Sequence, residues 1–319
     1  MTLRLENTNA SAVAAAIQAE RHRKGSTASG MVMTLVIVTD EENQADATQA
    51  AQYSAGEHPC RILTVIPRPG RNIGPRLDAG ISVGDSDGPG ELVRLRLRGE
   101  LSQHAESVVL PLLLSDTPVV VWWPTTHPTN VADDPLGRLA SRRIIDTTEA
   151  EDFVSALASK KANMNRGDTD LSWTRLTPWR AALAATLDQP YEPITGASVH
   201  SQPIPAAPLM RTWLEWRLEV PVTYVASTGP AINQIVVHTL GGDITISRPD
   251  GHMATVDRNG VSVKELFLPR REIKDLISEE LRRLNPDETY EETMRRLDTH
   301  RLEPDAAVEG ESSTVLSES

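Results

Sequence analysis

The run Met31-Val32-Met33-Thr34-Leu35-Val36-Ile37-Val38-Thr39 constrains the fold more than any other segment. Its apolar residues do not alternate with polar ones, so an extended chain there must be covered on both faces. Such a strand belongs inside a parallel sheet with helices on each side. The flanking residues agree. Residues 9–22 carry Ala, Val and Ile at helical spacing and stop before Gly25, while Asp40, Glu41 and Glu42 suit the positive end of a helix running to Ala55. Residues 60–66 are a second apolar strand, which completes a right-handed strand–helix–strand unit.

Further along, residues 67–90 hold six Gly and four Pro and are expected to be a flexible loop. Val93, Leu95 and Leu97 then alternate with Arg94, Arg96 and Arg98, a half-buried strand with an arginine stripe on its other face. A helix over 103–115 and a strand over 118–123 give a second strand–helix–strand pair. The expectation for residues 1–161 is therefore an open, mainly parallel α/β domain. A polar hinge over 162–170 leads to an α+β domain at 171–302. Its first helix begins at Thr177-Pro178, and a second, near 206–217, is expected to bury Leu209, Trp213 and Trp216. Segments 222–226, 232–240, 243–248, 253–257 and 261–268, separated by Gly, Pro and Asn turns, predict an antiparallel meander packed by helices. A helix over 270–284 with Ile273, Leu276, Ile277, Leu281 and Leu284 on one face is expected to close that domain. Residues 303–319 contain five carboxylates and no Lys or Arg, which predicts an acidic disordered tail.

Composition narrows the function. At 319 residues the chain is long enough for two cores, and 44 acidic against 32 basic residues give a net charge of −12. That balance argues against nucleic acid as a partner, since phosphate-backbone binding draws on clustered Lys and Arg. The single cysteine, Cys60, excludes an intrachain disulfide and the usual thiolate zinc sites. Cys60 itself is expected to be a small buried residue at a strand start rather than a reactive thiol. The most apolar stretch, 108–123, is broken by Pro111, Ser115, Asp116 and Pro118, so no membrane span is expected. The first residues, Met-Thr-Leu-Arg-Leu-Glu-Asn, lack the apolar core of a secretory signal, and the expected location is the cytoplasm.

Catalytic patterns are sparse. Gly80-Ile81-Ser82-Val83-Gly84 matches the nucleophile elbow, but the exit through Asp85-Ser86-Asp87-Gly88-Pro89-Gly90 cannot be the helix that an elbow needs. The turn after Val38 is acidic and lacks the glycines of a dinucleotide site, and the eight histidines are scattered. No catalytic residue, cofactor or metal is expected. What stands out is tryptophan beside arginine. Trp122, Trp123, Arg138, Arg142, Arg143, Trp173, Arg175, Trp179 and Arg180 gather after the 118–123 strand and across the hinge, and these residue types dominate interface hot spots. They are the expected partner-binding surface.

His-Pro-Cys-Arg at 58–61, Val-Trp-Trp-Pro at 121–124, Asp-Pro-Leu-Gly-Arg-Leu-Ala-Ser-Arg-Arg-Ile-Ile-Asp at 134–146 and Asp-Leu-Ser-Trp-Thr-Arg-Leu-Thr-Pro-Trp-Arg at 170–180 resemble, in order and spacing, the OpcA family of glucose-6-phosphate dehydrogenase assembly proteins. The resemblance spans roughly residues 10–300. It implies a non-catalytic protein that binds glucose-6-phosphate dehydrogenase and serves as an allosteric effector in the oxidative pentose phosphate pathway. Family members in photosynthetic bacteria are associated with thiol control, and with Cys60 alone this chain has no internal dithiol switch. The rival reading is a sugar-phosphate sensor or enzyme using the arginine stripe at 94, 96 and 98, whose forks match phosphate geometry.

Overall fold

The computed structural model describes residues 2–25, 30–70, 74–85, 88–259 and 262–305. The two-faced apolar run forms a strand over Met33–Val38, buried along almost its whole length. It lies in an eight-stranded sheet made of β1 (Leu3–Thr8), β2 (Met33–Val38), β3 (Cys60–Arg68), β4 (Arg76–Asp85), β5 (Gly88–Arg98), β6 (Val119–Trp122), β7 (Arg142–Ile145) and β8 (Asp168–Asp170). The spatial order is β1-β4-β5-β3-β2-β6-β7-β8. From β5 to β8 every pairing is parallel, and β4 and β1 join one edge antiparallel. The mainly parallel α/β sheet expected from the sequence is therefore present.

Alternate residues of β2 feed two cores. Val36 joins Val13 and Ile17 of α1 (Ala10–Lys24), with Leu63, Leu95, Val121 and Trp123. On the other face Met33, Leu35 and Ile37 join Ala47 and Ala51 of α2 (Gln44–Ala55), with Ile62, Val120 and Trp122. The helix expected over 103–115 is shorter, α3 (Ala105–Val109) followed by a 3-10 turn at Leu110–Leu112, because Pro111 supplies no amide to continue the ladder. Then come α4 (Phe153–Ala162), α5 (Leu171–Thr174) and α6 (Thr177–Leu187).

Residues 67–90 correct the sequence reading. Ten of them, Arg76–Asp85, form β4, with Leu77, Ala79, Ile81 and Val83 alternating into the core. Ser82 sits mid-strand opposite Leu92, with no elbow around it. Residues 71–73 and 86–87 lie outside the described residues.

The chain divides into two compact units, Met1–Arg180 with Arg270–Arg296, and Ala181–Pro269 with the residues from Leu297 onward. This differs from a simple division at 162–170. The helix expected to close the second domain, α8 (Ile273–Arg282), belongs to the first unit: Leu276, Ile277 and Leu281 pack on the α2 face of the sheet. The following α9 (Glu288–Arg296) belongs to the same unit and buries Tyr290 and Met294.

Within the second unit α7 (Ala206–Leu218) packs on a six-stranded sheet of β9 (Ile194–Ser201), β10 (Val222–Ala226), β11 (Ile232–Thr239), β12 (Gly242–Ser247), β13 (Met253–Arg258) and β14 (Ser262–Phe267). Strands β11 to β14 are the expected meander. The 222–226 strand is not part of it, because β10 runs parallel to β9 at the far edge. Leu209 of α7 is buried as expected, while Trp213 and Trp216 are only half-buried; Ala206, Ala207, Met210 and Leu214 complete the inward face. Of the expected tail, Asp305 is tied down, accepting from the Tyr224 amide at 2.8 Å and from Arg211 at 3.1 Å. Residues 306–319 lie outside the described residues.

Candidate functional site

The strand order reverses at β2, where the chain turns to β3 on one side and later to β6 on the other. The crevice outside the carboxyl ends of the strands at such a reversal is where open α/β sheets bind ligands. Here the turn leading into α2 is filled by the chain's own carboxylates. Asp40 Oδ1 accepts from the amides of Glu42 and Asn43 at 2.9 and 2.8 Å, and the Asn43 side chain donates to both Asp40 oxygens. Burial opposes ionisation of Asp40, yet the Asn43 and Glu42 donors outweigh it and hold the carboxyl below its usual range. Glu41 accepts from Arg96 at 2.9 Å and pairs with Arg68 at 2.7 Å. The Arg96 hydrogen bond, working against burial and helped by Arg68, holds the Glu41 carboxyl below its usual range. A pyrophosphate arriving at this helix start would meet anions and amides already engaged.

At the amino-terminal ends of β7 and β8, the edge of the sheet opposite the crevice, lies a buried polar node. Arg143 Nε donates to Asp168 at 2.5 Å, and its amino groups donate to the carbonyls of Arg166 and Ala140 at 2.6 and 3.0 Å. Lys160 reaches the second Asp168 oxygen at 2.8 Å. Arg142 points to the opposite face, donating to Glu280 of α8, to the Asn285 carbonyl at 2.6 Å and to Thr169 at 2.9 Å. Asp170 accepts from the Ser172 and Thr147 amides at 2.8 and 3.3 Å. Burial, with Asp146 adding repulsion, pushes its carboxyl upward. Trp173 Nε1 donates to Asp287 at 2.8 Å, its ring meets Tyr290 at a centroid distance of 5.7 Å, and the Arg180 guanidinium lies 3.8 Å over it.

This geometry corrects the expected partner surface. Trp122, Trp123, Trp173 and Trp179 are 0–3% exposed, and Arg142 and Arg143 only 3% and 7%. They hold the first unit together and present no contact area. The physical reason is that β6 and β7 are covered on both faces, so alternate side chains all point inward. Arg175 is half-buried and forked onto Asp146 at 2.7 and 2.8 Å, and Arg180 is half-buried over Trp173. Of the nine expected anchors only Arg138 is exposed.

The arginine stripe is also largely engaged, Arg96 with Glu41 and Arg98 with Asp78 at 3.3 Å. Cys60 is fully buried, and burial pushes its thiol up to about 12, which leaves it protonated and unreactive, as expected. A cluster the sequence reading passed over is Arg21, Arg61 and Glu91. Both arginines converge on the one carboxylate, Arg61 Nε at 2.7 Å and Arg21 through a two-nitrogen fork. Arg61 near the start of β3 is the register partner of Glu91 on β5, a pairing that local sequence does not announce.

Residues 51–162 match the family domain described as glucose-6-phosphate dehydrogenase subunit N-terminal domain, and residues 166–294 match its C-terminal domain. The chain belongs to the OpcA family of glucose-6-phosphate dehydrogenase assembly proteins. The family's own division falls between 162 and 166, ahead of the point at which the compact units part. No curated protein matches the chain. Among solved structures it is similar to a 3-ketoreductase from Actinomadura kijaniata crystallised with NADP, at 10% identity and TM-score 0.46, over 84% of this chain and 95% of that one. An oxidoreductase from Sinorhizobium meliloti is similar at 10% identity and TM-score 0.49, over 83% and 94%. An oxidoreductase domain protein from Kribbella flavida is similar at 8% identity and TM-score 0.45, over 83% and 94%. Among the described residues no helix is long and apolar enough to cross a membrane.

Proposed function

We propose that this chain binds glucose-6-phosphate dehydrogenase in the cytoplasm and promotes its assembly or activation, carrying out no reaction of its own. The observation behind this reading is the match of 51–162 and 166–294 to the two domains described as dehydrogenase subunit domains. The crevice at the strand reversal supports it, since Asp40 and Glu41 answer with their own carboxylates the donors a cofactor phosphate would need. Activation then works by differential binding: the partner favours one conformation or oligomer of the dehydrogenase and shifts the population by its difference in affinity.

A docking surface is proposed on the second unit. Strand β14 ends its sheet, and Phe267 and Val263 on it are 71% and 64% exposed. Met253, 40% exposed, is the register partner of Phe267. Phe267 and Val263 on the terminal strand, with Met253 beside them on β13, are the kind of apolar patch that a partner covers. Phe267→Asp and Val263→Asp should each abolish co-purification with the dehydrogenase while leaving the melting temperature unchanged, as an anchor contributes about 2 kcal/mol or more. Arg138→Ala should weaken it only slightly, since a charge at an interface rim contributes little. Wild-type binding by both Asp variants would place the contact elsewhere.

A further inference from the structure

The Arg21–Arg61–Glu91 cluster faces a cavity of about 440 Å³ at the amino-terminal edge of the parallel sheet, the end opposite the crevice described above. Ala14, Ile17, Gln18 and Arg21, one stripe of α1, form one wall. Residues 111–115 and Thr117, leading into β6, form the other, with Met31 and Arg61 between. Arg21, Arg61 and Glu91 are 9%, 5% and 4% exposed. Among the described residues, two guanidinium groups therefore share one carboxylate in the interior, which leaves one positive charge unbalanced, and no acid lines the cavity. The donors are not used up. Arg61 spends Nε on Glu91 and one amino group on the Leu112 carbonyl, and its other amino group has no hydrogen-bond partner among the described residues. One Arg21 amino group reaches, among the described residues, only Gln18, at 3.3 Å.

We propose that this cavity binds a small phosphate monoester through Arg61 and Arg21. Unused guanidinium N–H groups set at the wall of a cavity match the several acceptor oxygens of a phosphate, and the bond is strongest away from water. The volume suits a small metabolite. Ser115 offers a hydroxyl to the ester, and Ile17, Met31 and Leu113 cover its carbon body. Burial draws the Arg61 guanidinium below its usual range, with Glu91 offsetting part of this and Arg21 adding to it. A bound anion relieves that cost.

The test is titration calorimetry on the whole chain without the dehydrogenase, so its outcome is separate from that of partner binding. The probes are glucose 6-phosphate, inorganic phosphate and unphosphorylated glucose. The ester and inorganic phosphate should bind and glucose should not. Arg61→Met removes the unbalanced charge and keeps the neutral Arg21–Glu91 pair, so it should weaken ester binding by at least about tenfold. Arg61→Lys should fall between. Should Arg61→Met fold poorly, Ser115→Asp puts a carboxylate at an exposed position on the rim and should abolish binding on its own. Absence of binding by both phosphates to the wild-type chain, or wild-type affinity in Ser115→Asp, would overturn the proposal.

Discussion

Arg142→Ala should lower the melting temperature of the first unit sharply and leave partner binding by the folded chain intact. Arg142 is 3% exposed and Glu280 6%, and the guanidinium also answers Thr169 and the Asn285 carbonyl. Removing one member of a buried pair strands the other, at about 3–5 kcal/mol. An exposed pair would give at most about 1 kcal/mol. In a unit of this size each kcal/mol moves the midpoint by about 2–4 °C, so the fall should be roughly 6–20 °C. The pH dependence has a definite sign. Burial pushes Glu280 upward more than Arg142 and Thr174 hold it down. A carboxyl whose folded pKa lies above its unfolded one favours folding at low pH, and that contribution is lost as pH rises through the folded value. Without Arg142 the upward push grows, so the deficit of the variant should be largest at neutral pH and shrink toward acid. Calorimetric scans of Arg142→Ala and of Arg142→Ala with Glu280→Gln across pH decide it; the double variant should recover part of the loss. A fall below about 2 °C at neutral pH, or a deficit that widens on acidification, would refute the reasoning.

Gly137→Ala should destabilise the chain by about 1–3 kcal/mol or more, because the added Cβ strikes the Val131 carbonyl oxygen and comes within 3.4 Å of Arg143 Cδ; urea midpoints measure it, and an unchanged midpoint would contradict the packing there. Asp40→Ala should cost about 1 kcal/mol near neutral pH by releasing the amides before α2. Since the folded carboxyl lies below its usual range, that contribution is present above the unfolded pKa and lost as pH falls through the folded one, so denaturation at acid pH should not distinguish variant from wild type. Cys60, with its thiol near 12, should resist iodoacetamide in the folded chain and react fully once denatured, and rapid native labelling would show that β3 opens.

The two-faced run at 31–39 revealed the parallel sheet because only double coverage tolerates such a sequence. Strand β4 was hidden by its punctuation. Leu77, Ala79, Ile81 and Val83 do alternate, but Gly80, Gly84 and the surrounding prolines outweighed the pattern, and pairing with β5 and β1 supplies the order that local propensity lacks. The apolar stripe of α8 was legible, whereas its destination was not, as nothing local says which sheet a returning helix covers. Trp122 and Trp123 point to opposite faces and could meet a partner only if one face of the sheet were wet; they belong to the two separate cores. Tryptophan and arginine serve hot spots and buried nodes alike, so residue type alone could not separate them. The Arg61–Glu91 pair spans 30 positions and becomes visible only in the β3–β5 register.

The most direct measurement mixes the purified chain with purified glucose-6-phosphate dehydrogenase and follows both the sedimentation of the mixture and its specific activity. A complex sedimenting faster than either protein, with higher dehydrogenase activity or a larger dehydrogenase oligomer, and no turnover of glucose 6-phosphate by the chain alone, is the predicted result. Independent sedimentation with unchanged activity, or turnover by the chain in the absence of the dehydrogenase, would contradict it.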